Sequence, residues 1–582
     1  MSDPLGLLPI AIAAGGGHVD GFESQQLVAA GMTLLRRSAP LVRAMHRRRS
    51  AILLPTSPAF LTALAASDGR SAVLINPLAS RFEVAHQLRD ANVGAVFTTS
   101  ELADRVPDDV AMVVLDDAPA TARVRVDGAT RVVDLGSHVG LTLEGETDAA
   151  PSSEEAAVIY TSALAGVPLG AILTHANVLS NARATVGAGA MDRTVHSLAV
   201  LPFAHLFGLV VSGAAPLMAG GRVTTMARFN APRLLELIEM DDITHLVAVP
   251  SVFATVAALA ERRGSPIAAR ALRFCICGGA PLSVDVQDRW FELTGVELRQ
   301  GYGLTEAGPV CLFNRIDLPN RRGTLGVPFP GVRVSVRAEN GSAEQPVGEA
   351  GEICVAGPNV FKGYVNAGAH RGDDGAPWAE GLVRDGEWLR TGDRGVANPD
   401  GTVSFRGLIK PMFTRNGFNI YPREIERVVG AMPNVRGVRV RAIPEALREN
   451  DIAVDVVGDV SVDDVRRWCD ERLAVYKRPS AVTVAPGAYR GVGRYRASAP
   501  LGATSIMPAS NASQNAVTHT GSNCAPLLRR SSAIVSASGT PGRYGRTLVI
   551  ASNVSATAAM RASSGIASPA RPSGMPLPSN RS

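Results

Sequence analysis

Short apolar, β-rich runs alternate with helix-like stretches through the first four hundred residues, and this alternation restricts the fold more than anything else in the chain. Residues 51–55 read as a strand, 58–66 as a helix, 72–76 as a strand, 81–91 as a helix and 94–99 as a strand. The pattern returns at 244–249, 251–263, 272–277, 284–293 and 296–300. Two strands joined through one helix run parallel, so the spacing predicts an α/β fold with parallel-rich sheets flanked by helices. Ligands in such folds bind beyond the carboxyl ends of strands. Gly278-Gly279 and Gly301-Tyr302-Gly303 are both expected there. Around 405–411, after a Pro399-Asp400-Gly401 turn, the rhythm changes, and a shorter α+β segment over 412–495 follows.

At 582 residues and 46% hydrophobic, the chain can bury a large core in two or more domains. Its net charge of +5 misleads. No Asp or Glu follows Glu471, and the thirteen Lys and Arg beyond it leave the first 471 residues at −8. A nucleic-acid partner, which needs basic residues gathered on a folded face, is therefore not expected. The six cysteines show no paired metal spacing, and Cys275 and Cys277 alternate within an apolar run. A reduced, cytoplasmic protein follows. The apolar stretch 206–221 is broken by Gly208, Gly213, Pro216 and Gly220-Gly221, so it reads as buried rather than membrane-spanning. Peripheral membrane contact stays open. Beyond about 496, Ser, Ala, Gly and Pro dominate without apolar period, a composition expected to be disordered. The abrupt change near 485 is also what a shifted reading frame would produce.

Four strings follow one another: Cys277-Gly278-Gly279-Ala280-Pro281, Gly301-Tyr302-Gly303-Leu304-Thr305-Glu306, Thr391-Gly392-Asp393, and residues 415–426, which begin Arg415-Asn416-Gly417-Phe418-Asn419. In that order they resemble the adenylate-forming superfamily: acyl- and aryl-CoA synthetases, firefly-type luciferases and adenylation domains of peptide synthetases. The resemblance covers residues 20 to 495. It implies that a carboxylic acid and ATP form an acyl-adenylate with release of pyrophosphate, and that the acyl group then passes to a thiol. It also implies a large AMP-binding domain (1–406), a hinge (407–411) near Lys410, a small mobile domain (412–495) and a tail (496–582).

On that resemblance Glu306 is the Mg²⁺ ligand, since a hard cation favours a carboxylate and keeps phosphate oxygens and water for its other positions. Thr305 donates to a phosphate oxygen. Tyr302 offers a flat face to adenine, the backbone of Gly278, Gly279, Ala280 and Pro281 approaches the base, and Asp393 accepts the ribose hydroxyls. His205 matches a family position lining the acyl-carboxylate site. Phe207, Val249, Ser251, Val252 and Gly303 are expected as acyl-pocket walls, Gly303 leaving room for a long chain. The 415–426 segment is expected to carry the thiol-transfer step, Gly417 admitting the pantetheine arm of coenzyme A and Asn419, Pro422 and Glu424 positioning the loop.

The chain departs from the family in three places. The phosphate loop normally reads Thr-Ser-Gly-Thr-Thr-Gly-x-Pro-Lys-Gly. Here Thr161 opens the loop and Ser162, Gly166, Pro168 and Gly170 keep the frame, while Leu164, Ala165 and Leu169 replace two hydroxyls and a lysine. Leu408 stands where a nucleotide-contacting arginine belongs, with Arg406 two positions earlier expected to point the same way. The terminal lysine is replaced by Arg494, and the only lysines are Lys362, Lys410 and Lys477. Arginine is a planar fork and not a compact ammonium. The expected function is an acyl-CoA synthetase-like ligase for a fatty or other apolar acid, using ATP, Mg²⁺ and coenzyme A, with weakened adenylation. A non-catalytic nucleotide-binding paralogue and a loader of a separate carrier protein are the alternatives.

Overall fold

The computed structural model describes residues 8–485, apart from 47, 68–70, 137–153, 162–167, 241, 367–383, 410–411 and 446–447. The expected alternation is present. Pro58–Ala66, Arg81–Asp90, Pro250–Arg263 and Val284–Thr294 are helices, and Arg49–Ile52, Ala72–Leu74, Val93–Thr98, His245–Ala248 and Phe274–Cys277 are strands between them.

These elements build two large sheets. One runs Glu155–Thr161, Ala72–Leu74, Arg49–Ile52, Val93–Thr98, Ala111–Val114 in parallel, with Leu169–Thr174 antiparallel at one edge. The other runs Leu298–Gly303, Phe274–Cys277, His245–Ala248, His196–Ala199, Arg222–Thr225, also parallel. Buried aromatic and aliphatic side chains glue helices to sheets. Trp290, wholly buried, meets Phe253 edge-on at 4.8 Å beneath the second sheet, and each such side chain contributes roughly 1.5–3 kcal/mol.

The alternation does not extend to residue 400 as expected. From Val310 to Leu408 the described elements are strands, and Arg333–Arg337, Ala350–Ala356, Trp388–Ala397 and Val403–Leu408 form an antiparallel sheet. A smaller α+β unit follows, its sheet Val435–Glu445, Glu449–Gly458, Ala481–Ala485 covered by Pro422–Gly430 and Val462–Arg472. The tail lies outside the described residues.

The helix Arg81–Asp90 begins on a reciprocal cap. The Glu83 backbone N–H donates to the Ser80 hydroxyl at 3.2 Å, and the Ser80 N–H donates to Glu83 Oε2 at 2.8 Å. The apolar 206–221 stretch contains a π-helical segment, Phe207–Ala214, and a short helix, Ala215–Met218, both largely buried. Among the described residues no helix is long and apolar enough to cross a membrane. The five described cysteines are free and buried.

Candidate active site

A cavity of about 510 Å³ is lined by residues of the second parallel sheet, the antiparallel sheet and the small domain. Glu306, 6% exposed, sits on the turn Thr305–Ala307, one residue beyond the strand Leu298–Gly303. Its Oε1 accepts hydrogen bonds from the Thr161 and Tyr364 hydroxyls, each at 2.9 Å. Burial and the neighbouring Glu306 carboxylate push the Tyr364 phenol well above its usual pKa. Asp393, 8% exposed, comes from the strand Trp388–Ala397, and its Oδ2 accepts from the Tyr302 hydroxyl at 2.7 Å. Burial and Asp393 likewise raise Tyr302. Both carboxylates thus line one cavity, together with Thr305 and the Gly278-Gly279-Ala280-Pro281 turn.

His205 lies two residues before the π-helical segment. Asn76 Nδ2 donates to its Nε2 at 3.0 Å, and burial lowers its pKa to about 4. The imidazole is therefore neutral near pH 7, with the proton on Nδ1. A group whose pKa falls from 6.5 to about 4 on folding binds its proton more tightly when unfolded. Its contribution to stability is complete above pH 6.5 and is lost as pH falls from there towards 4. His205→Phe is accordingly expected to flatten the decline of Tm between pH 6.5 and 4. A slope identical to the parent protein's would show that His205 does not titrate this way.

The small domain closes the cavity. Gly417 adopts φ +75°, and a Cβ there would lie 2.4 Å from Val249 Cγ1, so only glycine lets this loop approach. Phe418 stacks on Tyr476 at 4.2 Å and packs against His205 at 5.7 Å. Asn419 also lines the cavity.

Several expected placements are corrected. Gly301, Tyr302 and Gly303 lie inside the strand Leu298–Gly303, not beyond it, because that strand continues by pairing antiparallel with Val310–Phe313. Gly303 does not make room for a chain: a Cβ would fall 1.8 Å from the Pro309 carbonyl oxygen, so its small size serves backbone packing. Ser251 and Val252 do not line the cavity, since the helix starting at Pro250 turns them aside and puts Val252 in the core. Phe207 and Val249 do line it. Arg406 is exposed and absent from the lining. The register shifts between Arg394 and Gly395, which face Gly407 and Phe405, so Arg406 is the extra residue of a bulge. Gly170, inside the strand Leu169–Thr174, packs near Val158 and Tyr160 and does not line the cavity. Ser162, Gly166, Lys410 and Arg494 lie outside the described residues.

Leu169 and Leu408 both line the cavity, and among its described lining residues there is no lysine or arginine. Tyr364, Asn76, Tyr476 and the buried, cavity-lining Gln300 were not anticipated. Tyr364 reaches Glu306 only because Gly363–Tyr364 pairs with Leu169–Thr174, a long-range contact that no local spacing signals.

Residues 41–365 match the model of a family described as "AMP-binding enzyme". The feruloyl-CoA synthase of Amycolatopsis sp is 31% identical over 458 residues, covering 75% of this chain and 84% of that protein. A long-chain-fatty-acid–CoA ligase of Bacillus subtilis is 26% identical, covering 74% and 81%. Among solved structures, a malonyl-CoA ligase ternary product complex with methylmalonyl-CoA and AMP superposes with a TM-score of 0.67 at 25% identity, covering 84% of this chain and 100% of that one. With Glu306 and Asp393 on one cavity closed by the Gly417 loop, the chain belongs to the AMP-binding enzyme family, as an adenylate-forming ligase related to the acyl-CoA synthetases.

Proposed function

We propose that the protein joins an apolar monocarboxylic acid, fatty or aromatic, to coenzyme A through an acyl-adenylate, and that thiol transfer outpaces adenylation. The observation that carries this reading is the lining: among its described residues Glu306 and Asp393 are the only acidic side chains, no lysine or arginine joins them, and Phe207, Val211, Phe274, Ile276 and Phe313 make an apolar wall. A second carboxylate on the acid would be buried against that wall with no cation among the described lining residues to meet it. The relatives named for ferulate, coumarate and long-chain fatty acids support an apolar acid.

In the first step the acid's carboxylate oxygen bonds to the α-phosphorus of ATP, and the bond to the β-phosphate oxygen breaks to release pyrophosphate. In the second, with the small domain turned so that its Gly417 loop meets the cavity, the thiolate of coenzyme A bonds to the acyl carbon and AMP leaves. The first step concentrates negative charge. The side chains Leu169 and Leu408 supply nothing to offset it, and the second step depends on them less. Asp393 is suited to the ribose and Tyr302 to the adenine face. The cavity also fits Mg²⁺, since Glu306, Thr161 and Thr305 offer only hard oxygen donors. Glu306 would hold the ion, which would offset phosphate charge. Among the described residues no three His, Cys, Asp or Glu side chains gather, so such an ion would rely on the nucleotide's own oxygens.

Pyrophosphate release measured over matched mono- and dicarboxylic acids is expected only with the apolar monocarboxylates, at a rate below that of thioester formation from supplied acyl-adenylate. Preferential use of dicarboxylates, or adenylation as fast as transfer, would overturn the reading.

A further inference from the structure

Two polar contacts join the small domain to the large one at the start of the helix Arg81–Asp90. Lys477 Nζ lies 2.9 Å from Glu83 Oε1 and 2.6 Å from Glu424 Oε1. The three side chains are 6%, 11% and 6% exposed. Beside them the Ser80 hydroxyl donates to the Arg472 carbonyl at 2.9 Å. Ser80 and Glu83 are the same residues that cap this helix, so the cap serves both as a helix start and as a docking point.

The location of Lys477 gives this contact its meaning. Glu424 stands in the first turn of Pro422–Gly430, immediately after the Gly417 loop, and Tyr476, next to Lys477, stacks on Phe418. One ammonium therefore ties a carboxylate of the large domain to the segment that closes the cavity. Burial opposes that charge, but Glu424 and Glu83 together hold the Lys477 pKa well above its usual value. The two bonds differ in kind. Glu424 and Lys477 both belong to the small domain and stay together when it turns, whereas Glu83 meets Lys477 only in the orientation described here.

We propose that Glu83 and Lys477 are positioning residues for thiol transfer, their ion pair holding the small domain where Gly417 and Phe418 cover the cavity and parting when the domain turns for adenylation. The proposal rests on the two-orientation reading above.

Glu83→Gln tests it in the full chain. Glutamine keeps the reciprocal cap with Ser80 while removing the charge, so helix Arg81–Asp90 still starts in place. Spin labels on Asp104→Cys and Arg466→Cys, in a Cys524→Ser background, report the orientation without requiring turnover. The expected result is a new, longer distance, the ratio of the two orientations moving about tenfold. Thioester formation from supplied acyl-adenylate should slow by a similar factor while AMP affinity stays unchanged, and Glu83→Asp should recover part of both. An unchanged distance distribution overturns the latch whatever the rate. A shifted distribution in a protein that never consumes acyl-adenylate keeps the latch and overturns the ligase reading instead.

Discussion

Glu306→Gln is expected to lower pyrophosphate release by about 10²–10³-fold. The amide retains an oxygen that accepts from Thr161 and Tyr364, the two hydroxyls on Glu306 Oε1, so the local fold is preserved and only the charge is lost. Without that charge no acidic side chain remains among the described residues on this side of the lining to hold a cation against the phosphates, Asp393 being engaged with Tyr302. Thioester formation from supplied acyl-adenylate should fall far less, because the phosphate chemistry is already complete. A variant that releases pyrophosphate within twofold of the parent, at equal Tm, would remove Glu306 from the reaction.

Leu169→Lys is expected to act in the opposite direction, raising adenylation by about 10²-fold. Leu169 is 3% exposed and lines the cavity. It pairs with Thr161 across the hairpin, and the Thr161 hydroxyl bonds Glu306. A lysine there extends from a backbone already placed beside the acidic end, and the neighbouring carboxylate offsets part of the cost of burying the ammonium. Single-turnover formation of acyl-adenylate measures the gain. An unchanged rate, with the variant folded, would show that the missing cation is not what slows the first step.

The sequence was most informative where structure is local. The helix 58–66 was placed to the residue, and 81–91 and 284–293 to within one, because hydrophobic period and turn residues act over a few positions. The carboxylates Glu306 and Asp393 were legible as a pair through the order of their strings, and both line the cavity. What escaped depends on contacts between distant segments. Among the described residues no helix intervenes between the strands of the antiparallel sheet of 333–408, so they carry no alternation to read. The bulge at Arg406 breaks the two-residue period on which its expected direction relied. Gly303 was assigned to open space, whereas the Pro309 carbonyl that requires a glycine there becomes visible only once the chain has folded back. Tyr364 and Lys477 have no local signature, as each is defined by a carboxylate more than fifty residues away.

The lack of lysine and arginine among the described lining residues has a chemical consequence apart from rate. A mixed anhydride of an acid and AMP acylates any amine within reach. Of the two described lysines, Lys477 is buried between two carboxylates and Lys362 is on the surface, and no described side chain lining the cavity bears a primary amine. Among the described lining residues an activated acyl group held there would meet no nucleophile of that kind, so these side chains would escape acylation while the intermediate waits for an incoming thiol.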